Sequence, residues 1–242
     1  PAYWSVVVRI SRGSALRKAR VTTRYDACMS ASVDAARLDA IVIGAGPGGL
    51  AAAAALRMAG LRGVVIDRAP AVGSSWRMHY DRLQLHTPRE LSHLPGFRIP
   101  REYGRWVARD HVVEYLEAYA AHHQLDLRLG VGARRLEQRA PGWRVHLDDG
   151  DELQAPNVIV ATGYNNTPRE ASWPGLEDFP GEVVHASAYR RGSEYAGRDV
   201  LVIGPGNTGS EIATDLADHG ASRVWLAVRT LKGGISGGTI DS

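Results

Sequence analysis

The sequence has a single cysteine, Cys28, among its 242 residues. One cysteine cannot form a disulfide framework or a Cys-x-x-Cys redox pair within the chain. This composition is typical of proteins in a reducing compartment, so we expect a cytoplasmic location.

The sequence also lacks an apolar run of the roughly 20 residues that a membrane-spanning helix needs. The alanine-rich run at 50–59 comes nearest, but it is short and follows a glycine-rich turn. We therefore expect no membrane partner. His, Asp and Glu do not recur at the spacing of a metal site, so we predict no bound metal.

The net charge of +3 does not indicate a nucleic-acid partner, because its basic excess lies in one segment. Residues 1–28 hold six basic residues and one acid, Asp26, whereas the remainder carries 23 basic and 25 acidic residues. Such an Arg-rich, acid-poor leader resembles an organellar transit peptide. Met29 follows it directly, and this favours the other reading, untranslated or misassigned upstream sequence.

The first glycine-rich loop stands between two apolar runs. Residues 38–43 are rich in Ile and Val and predict a strand, and GAGPGG at 44–49 follows at once. A helix of small residues is predicted to about Ala59, and GVVID at 63–67 predicts a second buried strand. This order is that of a dinucleotide-binding βαβ unit.

Each glycine of this loop has a mechanical role. Gly44 makes the tight turn, Gly46 lets the backbone approach a pyrophosphate, and Gly49 lets the helix pack on the strand. Asp67 lies 23 positions after Gly44, close to the roughly 20 expected for the acid that bonds a ribose. A plain structural turn is the alternative, and the ordered sequence of parts disfavours it.

The segment between the two loops is mixed. Residues 76–100 interleave aromatic residues, His and Pro without periodicity and predict a long irregular loop. Asp110 is expected to cap a helix that runs to about His123. An Asp-Gly pair at 149–150 predicts a hairpin, and NVIVATG at 157–163 predicts a buried strand that ends in a turn.

A second glycine-rich loop repeats the first. Residues 199–203 predict a strand, GPGNTG at 204–209 opens a helix to about His219, and 223–228 predict the following strand. The chain thus has two predicted dinucleotide sites.

The two sites differ at the position of the ribose-binding acid, which is Asp67 in the first site. Counting 23 positions from Gly204 reaches Ala227, which carries no carboxylate, and Arg229 follows two residues later. An acid there would repel a 2′-phosphate, whereas arginine can bind one bidentately. We therefore predict NADP at the second site, with a solvated strand-end arginine as the alternative for Arg229. Two such sites indicate hydride transfer from a nicotinamide to a flavin at the first.

The sequence between the loops carries a family fingerprint. FPGEVVHASAY at 179–189 resembles the F-x-G-x-x-x-H-x-x-x-(Y/F) pattern of flavin-containing monooxygenases, and VATG at 160–163 resembles their linker between FAD and NADP domains. SSW at 74–76 and YDRLQLHTP at 80–88 are similar to the YUCCA-like indole-pyruvate branch. The resemblance extends from about Asp39 to Arg229.

This resemblance implies a chemistry. NADPH would reduce FAD, and the reduced flavin would activate O2 as a C4a-hydroperoxyflavin that oxygenates a small organic substrate. A 2-oxo acid such as indole-3-pyruvate, a ketone, an amine and a sulfide are all open as substrates. The resemblance assigns no catalytic residue; His185 is expected to shape the turn between domains rather than to transfer protons.

The resemblance and the glycine patterns together give the candidate cofactor residues. The FAD adenosine half is expected at Gly44, Gly46, Gly48, Gly49 and Asp67. Trp76 and His86 are expected near the flavin ring, and the other reading of His86 is a loop histidine bonded to backbone. NADP is expected at Gly204, Gly206, Asn207, Thr208, Gly209 and Arg229.

The sequence departs from the family in two places. No asparagine lies between Trp76 and Pro100, where many members carry one, and this favours the YUCCA-like branch. The glycine-rich tail at 231–242 is unlike the family's continuation, so a fragment, a fusion and a non-catalytic nucleotide-binding remnant all stay open. A disulfide reductase of the thioredoxin-reductase type is disfavoured by the lone Cys28.

These patterns predict an α/β fold of two Rossmann-like dinucleotide-binding domains, an FAD domain and a partial NADP domain, of the three-layer ββα type. We expect a leader at 1–37, disordered or not native, followed by the FAD domain at 38–165. The partial NADP domain is expected at 166–230.

Overall fold

A computed structural model describes residues 37–163, residue 168 and residues 174–228. The tail predicted at 231–242, Arg229 and all but the last residue of the predicted leader lie outside these ranges. The described residues form two units, one of 37–74, 93–100 and 113–163 and the other of 75–92, 101–112, 168 and 174–228.

Four helices and nine strands are present in the described ranges. In chain order they are β1 (Ala40–Ile43), α1 (Pro47–Met58), β2 (Gly63–Asp67), α2 (Ser74–Arg77), α3 (Arg109–His122), β3 (Asp126–Leu129), β4 (Ala133–Arg139), β5 (Gly142–Leu147), β6 (Glu152–Ala155), β7 (Asn157–Val160), β8 (Asp199–Ile203), α4 (Asn207–Asp218) and β9 (Arg223–Ala227). None of these helices is long and apolar enough to cross a membrane.

The first unit contains a parallel sheet with strand order β3-β2-β1-β7. Ile41 and Ile43 of β1 share a buried cluster with Val145 and Leu147 of the antiparallel β4-β5-β6 meander. Because side chains alternate along a strand, Val42 faces the other way, towards α1. The sheet is therefore a middle layer between the meander and the helix, and this confirms the predicted ββα arrangement.

The described elements agree closely with the predicted βαβ unit. The strand predicted at 63–67 is β2, and the helix predicted to about Ala59 is α1, which ends at Met58. Gly60 follows with φ +74, a conformation that favours glycine and stops the helix. The segment 76–100 is irregular as predicted, apart from α2 and a 3-10 turn at Arg89–Leu91.

Two strands of the first unit were not predicted. β3 reads DLRL at one edge of the parallel sheet, and β4 reads ARRLEQR at one edge of the meander. No residue of either strand is fully buried. β4 is mostly polar and carries little hydrophobic periodicity, whereas in β3 the leucines alternate with polar residues over only four positions, a short signal that the sequence reading missed.

The second unit is built on the parallel pair β8 and β9, connected by α4. Its buried cluster comprises Tyr80, Leu83, Tyr189, Ile212 and Leu216. The irregular segment before position 92 therefore supplies core residues to the second glycine-loop unit.

A buried carboxylate fastens α4 to the chain that precedes β8. Asp215 is 2% exposed, and its Oδ2 accepts a hydrogen bond from the Tyr189 hydroxyl at 2.6 Å and from the Gly192 N–H at 2.7 Å. Burial, together with the bond to Asp215, raises the pKa of Tyr189 above its ordinary value. Tyr189 is thus held protonated, as a donor.

We expect Asp215→Ala to lower the free energy of unfolding by roughly 2–5 kcal/mol, because two buried donors lose their acceptor. Urea unfolding followed by circular dichroism measures this. Asp218→Ala on the same helix is the matched control: it removes an exposed ion pair with Arg82, which contributes about 0–1 kcal/mol. Equal losses in both variants would contradict the account.

Candidate functional site

The two glycine-rich loops follow the same backbone course. Gly44 has φ +114 and Gly204 has φ +109, a region that favours glycine. The Gly44 N–H donates to the Ile66 carbonyl at 2.8 Å, and the Gly204 N–H donates to the Ala227 carbonyl at 3.1 Å. The repeat seen in the sequence is therefore a repeat of structure.

The third glycine of each loop is required by close packing. A Cβ at Gly49 would overlap the carbonyl oxygen of Gly44, and a Cβ at Gly209 would overlap that of Gly204. The start of each helix can approach the end of its strand only with glycine at these positions.

The middle glycine of each loop faces open space. Gly46 and Gly206 are the N-caps of α1 and α4, with no side-chain cap hydrogen bond. Among the described residues, apart from the glycine's own chain neighbours, no atom lies within 4 Å of a Cβ built at either position. Gly48, in the first turn of α1, is half-buried. A helix N-terminus open in this way can receive a phosphate group, so the residues present fit a dinucleotide pyrophosphate.

Asp67 lies at the carboxyl end of β2, beside the first loop. Its Oδ2 accepts a hydrogen bond from the Ala45 N–H at 2.6 Å, and its Oδ1 accepts one from the Ala69 N–H at 2.8 Å. A carboxylate has about four lone-pair sites, so it can also accept a ribose hydroxyl. Asp67 therefore supports the loop in addition to its predicted role.

The sheet register corrects the predicted counterpart of Asp67. Ile43 pairs with Ile66 in the first unit, and Ile203 pairs with Ala227 in the second. Ala227 is thus the equivalent of Ile66, and the equivalent of Asp67 is Val228, because the second unit has one more residue between its strands. The position still carries no carboxylate.

Trp76 and His86 both lie in the second unit. Trp76 is half-buried against the cluster that contains Tyr80 and stacks edge-on to His79, with ring centroids 6.1 Å apart. His86 contacts side chains rather than backbone: its Nδ1 lies 3.1 Å from Asn207 Nδ2, and its Nε2 pairs with Glu211. Placement of either ring beside a flavin stays a prediction.

Sequence reasoning missed Glu211 and Tyr80. Glu211 lies one turn after Asn207 on α4, and its Oε2 accepts the Tyr80 hydroxyl hydrogen bond at 2.6 Å. Burial, with the bond to Glu211, raises the pKa of Tyr80 above its ordinary value. The i, i+4 spacing of Asn207 and Glu211 is the one signal in the sequence that pointed to a shared face.

The fingerprint residues have separate local roles. His185 is exposed, and its Nδ1 accepts a hydrogen bond from the Ser187 N–H at 3.2 Å within the same turn. Tyr189, at the fingerprint's end, bonds Asp215. In the described ranges, no group of three or more His, Cys, Asp or Glu residues is arranged to hold a metal ion.

We expect substitutions of the middle and third glycines of the first loop to affect different quantities, FAD affinity at Gly46 and the free energy of unfolding at Gly49. Gly46→Ala should change the free energy of unfolding by less than about 1 kcal/mol, because its φ of −83 suits alanine and space is open. Its FAD affinity should fall about tenfold or more, since the methyl group occupies the phosphate's approach. Gly49→Ala should destabilise the fold by about 1–3 kcal/mol. Fluorescence titration with FAD and urea unfolding measure the two effects; undiminished FAD binding by Gly46→Ala would contradict the assignment.

Comparison with known proteins agrees with this geometry. Residues 41–233 match the family model described as pyridine nucleotide-disulphide oxidoreductase. The indole-3-pyruvate monooxygenase YUCCA1 of Oryza sativa subsp. japonica is 43% identical over 185 residues, which cover 75% of this chain and 46% of the relative. The chain therefore spans about half the length of the curated relatives that it matches.

Solved structures are similar as well. A flavin-containing monooxygenase from Stenotrophomonas maltophilia is 30% identical with a TM-score of 0.73, over 80% of this chain and 58% of that chain. A cyclohexanone monooxygenase with ε-caprolactone bound is 29% identical with a TM-score of 0.67, over 80% of this chain and 40% of that chain. With both glycine loops in place, the chain belongs to the pyridine nucleotide-disulphide oxidoreductase family and is a member of the flavin monooxygenases.

Proposed function

We propose that this chain carries the FAD- and NADPH-binding parts of a monooxygenase that transfers one oxygen atom of O2 to a small organic substrate. The observation that carries the proposal is the pair of glycine loops with one backbone course, of which only the first is followed by a carboxylate. Two dinucleotides, one with a free adenosine ribose and one with a ribose 2′-phosphate, would explain this difference.

In the first unit, the open N-terminus of α1 at Gly46 and Gly48 would hold the FAD pyrophosphate. Asp67 would accept a hydrogen bond from the adenosine ribose while it keeps its bond to the Ala45 N–H. The carboxylate is already held by backbone donors, so cofactor binding does not have to order it.

In the second unit, α4 at Gly206, Asn207 and Thr208 would hold the NADP pyrophosphate. Val228 leaves no negative charge at the position of Asp67, so a 2′-phosphate is not repelled there. Arg229, which lies outside the described residues, would pair with that phosphate.

When bound, the flavin supplies the redox chemistry by which one atom of O2 enters the product and the other leaves as water. The residues of this chain bind and orient the two dinucleotides. Trp76 and His86 would lie beside the flavin ring. The proposed FAD domain is 38–165, of which 75–92 and 101–112 group with the second unit, and the proposed NADP domain is 166–230.

The substrate proposal rests on relatives. The rice relative is named for indole-3-pyruvate, so a 2-oxo acid of this kind is the leading candidate. A simple ketone is second, because of the similarity to cyclohexanone monooxygenase. Amines and sulfides follow. We propose the cytoplasm as the location because the sequence has a single cysteine, as is typical of proteins in a reducing compartment.

The test is O2 uptake by the purified chain supplied with FAD and NADPH, with indole-3-pyruvate compared with cyclohexanone, an amine and a sulfide. We expect uptake that depends on indole-3-pyruvate and is at least about tenfold slower with NADH, because a 2′-phosphate site favours NADPH. Product analysis by mass spectrometry accompanies the rates.

Gly46→Ala and Gly206→Ala serve as matched controls that block one site each. Equal rates with NADH and NADPH would contradict the NADP assignment. O2 uptake only with cyclohexanone would indicate a ketone rather than a 2-oxo acid as the substrate. A chain that binds neither FAD nor NADP would leave the non-catalytic remnant as the better account.

A further inference from the structure

Four side chains of the second unit form one hydrogen-bonded group at the first turns of α4, which we call the Glu211 cluster: Tyr80, His86, Asn207 and Glu211. Glu211 accepts the Tyr80 hydroxyl hydrogen bond on Oε2 at 2.6 Å and pairs through Oε1 with His86 Nε2. His86 Nδ1 lies 3.1 Å from Asn207 Nδ2. The group thus links a core tyrosine to the second glycine loop.

The donors and acceptors of this group select one tautomer of the His86 imidazole. An amide nitrogen such as Asn207 Nδ2 only donates, so His86 Nδ1 must accept. The ring proton then lies on Nε2, where it points to the carboxylate of Glu211. A ring protonated on Nδ1 would place two donors against each other.

Tyr80 anchors the other side of Glu211. It is 2% exposed, and its pKa is raised by burial and by the bond to Glu211. Its hydroxyl therefore stays a donor, and each carboxylate oxygen of Glu211 has one assigned partner. The position of Glu211 is set by the core of the unit.

The first glycine loop has no such group. Pro47 and Gly48 occupy the places of Asn207 and Thr208 in the first turn of the helix. Neither has a polar side chain that needs to be held. The cluster is therefore a feature of the second loop, and it is not required by the βαβ geometry itself.

We propose that Glu211 is a positioning residue for the second dinucleotide site: through His86 it fixes the orientation of the Asn207 amide in the first turn of α4. This rests on the proposed function, in which that turn binds NADP. A side chain ordered in advance does not have to be ordered by the ligand, and one freely rotating polar side chain lowers affinity by about two- to tenfold.

The first experiment reads the imidazole itself. ¹⁵N NMR of the histidine-labelled chain at neutral pH, with the His86 signals assigned by their loss in His86→Asn, should show a proton on Nε2 and none on Nδ1. Glu211→Ala should give a mixture of the two tautomers. A wild-type ring protonated on Nδ1 would overturn the proposal, and this outcome does not depend on NADP binding.

The second experiment measures NADP⁺ affinity by calorimetry in two matched pairs. Glu211→Ala should bind about two- to tenfold more weakly, whereas Asp218→Ala, on the same helix and paired with Arg82, should bind like the wild type. His86→Asn keeps an acceptor at the place of Nδ1 and should retain most of the affinity. His86→Gln reaches Glu211 without that acceptor and should lose affinity like Glu211→Ala.

The outcomes separate the two proposals. If the wild-type chain does not bind NADP⁺, the proposed function of the second loop fails. If it binds and Glu211→Ala binds equally well, only the role of Glu211 fails. Equal losses in His86→Asn and His86→Gln would show that Asn207 is not the residue being positioned.

Discussion

The structure depends on the close approach of a helix to the end of a strand. In both glycine loops, the carbonyl oxygen of the first glycine lies where a Cβ of the third would stand. This contact sets the direction of α1 and α4 and leaves their N-termini open at Gly46 and Gly206. The proposed binding of two dinucleotides follows from this one steric condition, met twice in the chain.

The two loops meet the condition in the same way and are supported differently. The first is held by a carboxylate, Asp67, which accepts a backbone N–H from within the loop. The second has Val228 at that position and carries instead a side-chain group around Glu211 on the helix. The two loops of the sequence repeat thus differ in their supporting residues, as expected if they bind the two different dinucleotides proposed above.

Most of the βαβ geometry could be predicted from the sequence because it is local. Apolar runs and glycine spacing located β1, β2, α1 and their counterparts within a few residues. The polar edge strand β4 carries no such signal. Counting along the chain placed the equivalent of Asp67 at Ala227, one residue early, since only strand pairing reveals an extra residue in a connection. Tyr80 and Glu211 lie 131 residues apart, and no periodicity reports contacts over that distance.

The central claim is that one chain has two separate and unequal dinucleotide sites. Equilibrium dialysis of the chain with FAD and NADP⁺ together tests it most directly. The account predicts one molecule of each bound per chain, with neither displacing the other. A single site for which FAD and NADP⁺ compete would contradict it.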